Sequence, residues 1–595
     1  MRSKVYLGIN LSHNSSAALM IDGEIIICTQ EERFTNKKNF FGYPKKSIDY
    51  ILKYLRKKKL EINKIAYSSE KNKPFVFMVP FTHFFSIKDY HGYYGEDYYK
   101  KVFNNQSTKK YISDLLKNKK NNENLYFNFK KYKNPKNFEN IEEFKKDQIN
   151  LVHKQTGVNK SDIIFLNHHA CHAHYGYFAS VKGYKDCAVV TLDSDGDYIN
   201  QSVWITKNDK KVLHKIRESN KCDLARIYKL TTLLLSMKPD EHEFKVMGLA
   251  PYAKHKYAKE VYENVFKDLL QVKNCMVVHK NRPRDMYSFL KKKFEPYRFD
   301  NIAGGLQMFL EKMTEELFKQ IYKKTKKRNF ALSGGVAMNI KNNKSLSELK
   351  FVDKLFVPPS GSDESLSIGA CYHLAKNESK PLENIYLGYD LNDENIKNQI
   401  KKKFSKKNYQ IHENFNHKSI AKLLKNNEII ACARGREEFG ARALGNRSIL
   451  ASPKNLNNKF IINEAIKNRD FWMPFALSIQ SDKQHNYIYN KKKIDCKYMT
   501  IGFDTKNKSY DKIKAGTHPY DKTVRPQFLS KDSNPSYYNL INEFYKLTGI
   551  PALLNTSFNL HGFPLSSNLS NIIYTFKNSG LKYLYINDRF LIKKK

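Results

Sequence analysis

The chain has 595 residues, of which 41% are hydrophobic and 13% are aromatic. That length exceeds what one hydrophobic core usually supports, so we expect two or more domains, and the apolar content excludes global disorder. No apolar stretch is long enough to cross a bilayer. The opening Met1–Asn10 predicts a buried strand rather than a signal sequence. The 8 Cys form no CxxC pair. We therefore expect a soluble, cytoplasmic protein without a membrane partner, a disulfide framework or a zinc knuckle.

The net charge of +45 is the strongest feature of the composition. Basic residues number 104 against 59 acidic ones, and Lys supplies most of the positive charge. AT-rich coding explains part of this surplus, because Lys and Asn are both abundant. The remainder would create a positive field that attracts polyanions, so nucleic acid is a candidate partner.

A strand, a polar turn and a second strand occur twice in the first half of the chain. The first copy is Val5–Ile9 and Ala17–Cys28, with the hairpin signal Asp22–Gly23; the second is Cys187–Asp193 and Gln201–Thr206. This repetition predicts a duplicated, two-lobed α/β fold in which the paired turns face a nucleotide across a cleft.

A glycine turn and a lysine extend this pattern. Asn329–Asn339 predicts a strand that runs through Gly334 and Gly335 into a helix, where backbone N–H groups can approach a nucleotide. Lys245 lies near Gly248 and suits contact with a phosphate. The candidate nucleotide-binding residues are Asp193, Asp195, Gly196, Lys245, Gly334, Gly335 and Asn339.

Two regions differ from this α/β pattern. Residues 70–150 are rich in Lys, Asn, Tyr and Phe, which indicates an insertion in the first lobe. Interleaved aromatic and basic residues suit the stacking of bases and the pairing of phosphates, although an amphipathic cap that buries its aromatics has the same composition. The polar stretch 375–381 marks the expected domain boundary, and the remainder alternates strands and helices, which predicts a second α/β domain.

Four His occur within residues 168–174, and they predict a metal site. His168 and His172 lie four residues apart, so on a helix they share one face and can bind one ion, whereas His174 points elsewhere. The alternative to a metal site is that these His are buried in the core and bind no metal. Asp363 lies in a glycine-containing loop after a strand, the usual place for a functional carboxylate in an α/β fold, and is our candidate for an oxygen ligand.

Four Arg and three Gly alternate within residues 434–447. Arg forks bind phosphate or carboxylate in two-point contacts, and glycines let the backbone bend around a ligand, although a random cluster is the alternative. Lys467 and a run of short polar side chains after a buried strand extend this group. We predict one anion-binding pocket formed by Arg436, Arg442, Arg447, Arg469, Arg525, Asn555, Ser557 and Asn559.

Several motifs, in this order, resemble those of the O-carbamoyltransferases, a family that includes nodulation-factor and antibiotic carbamoylating enzymes. The resemblance covers both ends and the middle of the chain and is weakest over 70–150. The chain departs from the family pattern at Asn39, Ala441, Met473 and Phe563, where His, Pro, Arg and Glu are usual. The matching motifs are Gly8–Ala17, Glu31–Thr35, His168–Ala173, Lys245–Pro251, Ser333–Asn339, Arg442–Ser448 and Asn555–Asn559.

The resemblance implies a domain over 1–378 of the actin-like ATPase type (a duplicated ribonuclease H-like fold) and a YrdC-like domain over 379–595. It implies that the second domain forms carbamoyl-adenylate from carbamoyl phosphate and ATP, the latter with Mg²⁺. The first domain would then transfer the carbamoyl group with the help of a divalent metal, Fe²⁺. On this pattern His168, His172 and Asp363 match the metal ligands, His13 and Lys38 match catalytic residues, and Arg442, Arg447 and Arg525 match the second pocket.

The acceptor hydroxyl is not identified by these motifs. The family default is a small molecule such as a sugar or an antibiotic, whereas the charge and the 70–150 composition favour a hydroxymethylated base in DNA, 5-hydroxymethylcytosine, flipped out of the duplex. A non-catalytic nucleic-acid-binding protein would explain the charge but not the His, Asp and Arg–Gly motifs. A tRNA threonylcarbamoylation enzyme or an actin-like kinase would match only part of them. The oligomeric state stays open between a monomer and a homodimer.

Overall fold

The computed structural model describes residues 3–78, 85–95, 113, 126–180, 186–207, 212–392, 395–467, 470 and 472–595. Contacts divide the chain into two compact units, Met1–Glu32 with Asn39–Leu382 and Arg33–Lys38 with Glu383–Lys595. Much of the insertion expected over 70–150 lies outside the described residues. In the part of the chain that is described, no helix is both long and apolar enough to cross a membrane.

The first unit begins with a mixed sheet of strand order β3-β2-β1-β4-β5. Strands β1, β2 and β3 form an antiparallel meander, and β4 and β5 continue it in parallel. The predicted Asp22–Gly23 hairpin is confirmed, since both residues have positive φ, 48° and 80°, as tight hairpin turns require. The strands are β1 (Val5–Asn10), β2 (Ser16–Ile21), β3 (Glu24–Gln30), β4 (Lys64–Tyr67) and β5 (Ile163–Phe165).

The second sheet of this unit repeats the first, with the order β12-β11-β6-β7-β8. Again three antiparallel strands are followed by two parallel ones. The expected duplicated α/β fold is therefore confirmed. The strands are β6 (Cys187–Gly196), β7 (Ile199–Thr206), β8 (Leu213–Ser219), β11 (Asn329–Ser333) and β12 (Lys354–Phe356), and a separate hairpin joins β9 (Leu270–Lys273) to β10 (Met276–His279).

Two buried helices lie between these sheets. His168–Phe178 packs on β6 and β11, Leu366–Ala375 packs on β1 and β2, and the two helices pack on each other. The helices of the chain are, in order, α1 (Glu32–Thr35), α2 (Lys45–Lys58), α3 (Pro74–Met78), α4 (Ile87–His91), α5 (Ile141–Thr156), α6 (His168–Phe178), α7 (Leu224–Leu234), α8 (Glu243–Leu249), α9 (His255–Val261), α10 (Met286–Phe294), α11 (Phe299–Thr325), α12 (Ile340–Glu348), α13 (Leu366–Ala375), α14 (Ile396–Lys403), α15 (His417–Lys425), α16 (Leu456–Ile461), α17 (Tyr510–Ile513), α18 (Pro535–Thr548) and α19 (Leu569–Lys577).

The second unit is built on one mixed sheet of order β13-β22-β21-β14-β15-β20-β16-β19, with β17 and β18 as a separate pair. Its α/β character agrees with the prediction. Leu554 and Ile449 from its centre pack with Phe576 of α19 in a fully buried core. The strands are β13 (Tyr409–His412), β14 (Ile430–Ala433), β15 (Arg447–Ala451), β16 (Ala476–Gln480), β17 (Phe503–Asp504), β18 (Thr523–Val524), β19 (Pro526–Leu529), β20 (Ala552–Ser557), β21 (Tyr583–Ile586) and β22 (Phe590–Lys594).

The contact between α6 and α13 depends on Gly369, and this generates a first prediction. A Cβ at Gly369 would lie 2.1 Å from the backbone O of Cys171, which cannot move without shifting α6. We expect Gly369→Ala to lower the free energy of unfolding by about 1–3 kcal/mol or more, measured by urea titration. Gly92→Ala is the matched control, because a Cβ at Gly92 meets nothing within 4 Å. Equal stability of the two variants would contradict the close helix contact.

Candidate metal centre and anion pocket

Two imidazoles and two carboxylates meet between the sheets of the first unit. The ligand atoms of His168, His172, Asp193 and Asp363 all lie within 4.8 Å of one another, and we call this group the His–Asp cluster. The two His come from adjacent turns of α6, Asp193 from the end of β6, and Asp363 from the loop after β12. Its three predicted ligands therefore lie together. The fourth member of the cluster is Asp193, which we expected to contact a nucleotide and not a metal.

The spacing of these atoms fits a bound divalent ion. His172 Nε2 lies 3.1 Å from Asp193 Oδ2 and 3.5 Å from Asp363 Oδ1, and His168 Nε2 lies 3.7 Å from Asp363 Oδ1. Metal–ligand bonds of about 2.1 Å require neighbouring ligand atoms about 3.0–3.5 Å apart. Both Nε2 atoms are buried without a hydrogen bond from the described residues, as expected of atoms that bind a cation.

Charge explains why this cluster favours a cation. Burial opposes a charge on His172, but the carboxylates of Asp193 and Asp363 outweigh burial and raise its pKa to about 9. The same imidazole lowers the pKa of Asp193, although burial acts in the opposite direction. Two carboxylates with neutral imidazoles carry a charge of −2, which a divalent ion neutralises. Mixed nitrogen and oxygen ligands of this kind suit Fe²⁺ and similar transition metals.

Three glycines that we predict to contact a nucleotide lie close to the His–Asp cluster or to β6, which carries Asp193. A Cβ at Gly196 would lie 2.2 Å from Cδ2 of His168, so only glycine leaves room for that ring. Gly335 donates its backbone N–H to Asp193 Oδ2 at 3.0 Å. Gly334 has φ +95°, and a Cβ there would meet the backbone O of Leu192 at 2.3 Å. The close backbone approach that we predicted is present, but the group approached is β6.

The other two histidines of the motif have protein partners. His169 shares a hydrogen bond with Thr191 Oγ1 at 2.7 Å and one with the backbone O of Ile199 at 3.1 Å. The ring of His174 shares a hydrogen bond with the backbone O of Ala170 and lies beside His373. His174 thus points away from the His–Asp cluster, as its spacing predicted.

The predicted catalytic His13 lies in a loop tied to Asp363. Ser12 donates from Oγ to Asp363 Oδ2 at 3.0 Å, and the Asn10 amide donates to the backbone O of both His13 and Asp363. The Nδ1 atom of His13 is buried and makes no hydrogen bond to the described residues. Sequence reasoning missed Ser12 and Asn10, although both lie in the matched motif Gly8–Ala17. Lys38 belongs to the other compact unit.

The remaining candidates for nucleotide contact are dispersed. Asn339 caps α12 by accepting from Asn342 N–H, and its amide also bonds to Gln307, which gives it a structural role. Asp195 is more than half exposed and lies 3.5 Å from Arg226. Lys245 lies within α8 and is half-buried.

A carboxylate that sequence reasoning missed joins the segments around the cluster. Asp197 accepts hydrogen bonds from Ser69 Oγ at 2.6 Å, from the backbone N–H of Lys71 at 2.8 Å and from that of His168 at 2.7 Å. It therefore connects the loop after β4 and the start of α6 to the turn between β6 and β7. A negative side chain at a helix N-terminus also stabilises the helix.

In the second unit, Lys467 forms the centre of the polar pocket. Its ammonium is buried and donates to the side chains and backbone carbonyls of Ser557 and Asn559. Asn555 donates to the backbone O of Ala443 at 3.1 Å, and its buried Oδ1 receives no hydrogen bond from the described residues. Ser557 and Asn559 thus meet Lys467, whereas the Asn555 amide bonds to Ala443 and Ser478. Arg469 lies outside the described residues.

Arg447 departs from our prediction that it binds phosphate. The side chain is fully buried, and its guanidinium donates all five N–H groups to backbone carbonyls. No donor is left for a ligand, so Arg447 is a structural residue of the loop. Arg442 and Arg525 are half-buried, whereas Arg436 donates to the backbone O of Leu387 at 2.7 Å. The carbonyls that accept from Arg447 belong to Tyr389, Arg434, Gly435, Asn446 and Ser567.

Asp193 generates the second prediction, because the metal ligand set inferred from sequence omits it. Asp193→Asn should weaken Fe²⁺ binding by at least about 10–100-fold, since an amide oxygen carries no charge to pair with the ion. Isothermal titration calorimetry under anaerobic conditions measures this affinity. Asp195→Asn is the control, because it removes the same charge from the same turn. An unchanged affinity in Asp193→Asn would contradict its assignment as a ligand.

A buried acidic group near the His13 loop generates the third prediction. Burial and the neighbouring Asp240 raise the pKa of Glu243 from its ordinary value of 4.5 to about 7. Between these values the unfolded chain releases the proton that the folded protein retains, so stability falls as the pH rises from 4.5 to 7 and then levels off.

Replacing this carboxyl group removes that pH dependence. The contribution of Glu243 to the fall in unfolding free energy is up to about 3 kcal/mol. Glu243→Gln should therefore be more stable than the parent at pH 8 and should differ less from it at pH 4.5. Urea denaturation of both proteins at the two pH values provides the comparison. Parallel pH profiles would exclude a raised pKa at this position.

Two family models match this chain. The family model described as the carbamoyltransferase N-terminus matches residues 5–372, and that described as the carbamoyltransferase C-terminus matches residues 421–594. Among solved structures, full-length HypF in its phosphate- and nucleotide-bound form aligns with 62% of this chain and 55% of its own, at 10% identity and a TM-score of 0.30.

Two curated relatives match along nearly the whole chain, and a third matches over less than half of it. Uncharacterized protein MJ1051 of Methanocaldococcus jannaschii is 29% identical over 99% of this chain and 100% of its own length. Nodulation protein NolNO of Sinorhizobium fredii is 26% identical over 98% of this chain and 79% of its own. Nodulation protein U of Rhizobium tropici is 34% identical over 44% of each chain. The chain belongs to the carbamoyltransferase family.

Proposed function

We propose that this carbamoyltransferase uses ATP and carbamoyl phosphate to carbamoylate a hydroxyl through a carbamoyl-adenylate. The observation that carries the proposal is the presence of two separate sets of polar groups, a cationic pocket around Lys467 in one unit and the His–Asp cluster in the other. Anionic substrates suit the first set and a divalent cation suits the second. Such a division fits a reaction in two steps.

The first step is assigned to the second unit. A water molecule hydrolyses carbamoyl phosphate to carbamate and inorganic phosphate, and a carbamate oxygen then attacks the α-phosphorus of ATP, with pyrophosphate as the leaving group. Lys467, Arg442 and Arg525 would neutralise the phosphate oxygens, and the amide of Asn555 would orient the carbamoyl group. Arg447 would act indirectly, by shaping the loop.

The second step is assigned to the first unit. The acceptor oxygen attacks the carbamoyl carbon, AMP leaves, and His13 accepts the hydroxyl proton as a general base. The Asn10 and Ser12 contacts would hold the His13 loop against Asp363. The ion, when bound by the His–Asp cluster, supplies Lewis-acid stabilisation of negative charge on oxygen.

The favoured acceptor is a hydroxymethylated base in DNA, 5-hydroxymethylcytosine. The net charge of +45 supports a polyanionic acceptor over a neutral metabolite, since phosphate neutralisation supplies much of the affinity for nucleic acid. ATP with Mg²⁺ and Fe²⁺ in the His–Asp cluster complete the proposed set of cofactors.

The fourth prediction separates the two steps by mutation. His13→Ala should retain carbamoyl-phosphate-dependent release of pyrophosphate from ATP but lose transfer by about 10²–10⁴-fold, because only the base is removed. Lys467→Met should lose both activities, and the exposed Lys454→Met is its charge-matched control. The assay follows carbonyl-labelled carbamoyl phosphate, with ATP and ferrous ion, into a duplex containing hydroxymethylcytosine.

Each result decides one part of the proposal. Label in the duplex supports both the reaction and the acceptor. Label that stops at carbamoyl-adenylate supports the reaction and directs the search to small hydroxylated metabolites. The absence of ATP-dependent transfer to any acceptor, or loss of pyrophosphate release in His13→Ala, would overturn the assignment of the two steps.

A further inference from the structure

The turn between β6 and β7 holds a tyrosine in a strained conformation. Gly196 pairs with Ile199 across the turn, so Asp197 and Tyr198 are its two central residues, and both have positive φ, 53° and 69°. Glycine is the preferred residue at the second position of such a turn, and a bulky side chain there is unusual. Strain of this kind is concentrated at functional sites.

Other hairpin turns of the chain compensate for the same conformation or avoid its cost. The equivalent second positions are Gly23, which has no Cβ, Cys275, which is buried in the core, and Asp588, which pairs with Arg434. Tyr198 differs, because its side chain is 44% exposed. Packing does not explain why a large aromatic ring occupies this turn.

Two ammonium groups lie over the exposed ring in cation–π contacts. Lys71 Nζ is 5.1 Å from the centre of the Tyr198 ring and Lys73 Nζ is 4.9 Å from it. Lys73 also pairs with Glu139 at 2.9 Å, whereas the side chain of Lys71 is exposed. An exposed ring flanked by cations suits a ligand that combines a flat ring with nearby phosphates.

This aromatic–basic group is fixed to the His–Asp cluster. Asp197, the neighbour of Tyr198, accepts from the backbone N–H of both Lys71 and His168. Asp193, a member of the cluster, lies five residues before Tyr198 on the same hairpin. Asp197 thus joins the turn that holds Tyr198 to the backbone of Lys71 and to the start of α6, which carries two members of the cluster.

We propose that Tyr198 stacks on a base of a nucleic-acid acceptor, while Lys71 and Lys73 contact its backbone phosphates. This inference rests on the proposed function, since it names the surface by which the carbamoyl acceptor is held. Stacking on a tyrosine is tolerant of sequence, so the site would select single-stranded or flipped bases rather than a particular sequence.

Substitution of Tyr198 tests this role by two measurements, thermal stability and oligonucleotide affinity, which should change in opposite directions. Tyr198→Gly should raise the melting temperature, because glycine relieves the positive φ, yet weaken binding of a short fluorescein-labelled single strand containing hydroxymethylcytosine by about 5–150-fold. Tyr198→Phe should bind within about twofold of the parent. Fluorescence anisotropy of the full chain with ferrous ion measures both affinities.

The salt dependence of oligonucleotide binding tests the role of Lys71. Lys71→Ala should reduce the slope of log affinity against log salt by about 0.7, the contribution of one phosphate contact to a single strand. Lys64→Ala, at the other end of β4 and also exposed, is the matched control and should leave the slope unchanged.

Failure of this inference differs from failure of the proposed function. If the parent protein does not bind the oligonucleotide, or if Tyr198→Gly binds it as tightly, the stacking role is overturned. Transfer to an uncharged sugar, without oligonucleotide binding, overturns it equally. Pyrophosphate release from ATP and carbamoyl phosphate, measured without acceptor, tests the reaction alone and does not depend on Tyr198.

Discussion

The carboxylate of Asp197 links the segments on which the His–Asp cluster depends. It joins the Ser69–Lys71 loop, which follows the first sheet, to the backbone N–H of His168 and to the hairpin of the second sheet. Because one largely buried group accepts all of these hydrogen bonds, the loop, the start of α6 and the hairpin cannot shift independently. The geometry of the cluster therefore depends on a side chain that is not a member of it.

The His–Asp cluster in turn explains the close packing around it. Its four ligands come from α6, from the end of β6 and from the loop after β12 in the second sheet, so the site exists only when α6 has packed on that sheet. The Gly196 contact with His168 and the Gly369 contact with the backbone of α6 bring these elements within reach. Buried carboxylates need a positive partner, and the raised pKa of His172 shows that a proton on this imidazole and a divalent ion would compete for that role.

Sequence predicted the parts of this site that follow from local geometry. The four-residue spacing of His168 and His172 determines that they share a helix face, and the hairpin signal at Asp22–Gly23 determines a positive φ. Asp193 was assigned to a nucleotide because the sequence shows its turn but not the side chains that approach the turn from other segments. The role of Asp197 was missed for the same reason, since its partners lie 29 or more residues away along the chain.

The Arg–Gly loop shows how one pattern can serve two purposes. Arginines separated by glycines indicate a backbone that bends around a charge, and the sequence does not say whether that charge is a ligand or a residue of the loop. Gly435 and Gly445 have positive φ and flank carbonyls that accept from the buried Arg447 guanidinium. The loop thus bends around its own cation. Because Arg447 uses every one of its donors, removing it would take one hydrogen bond from each of five carbonyls, and the loop would lose its shape rather than a phosphate contact.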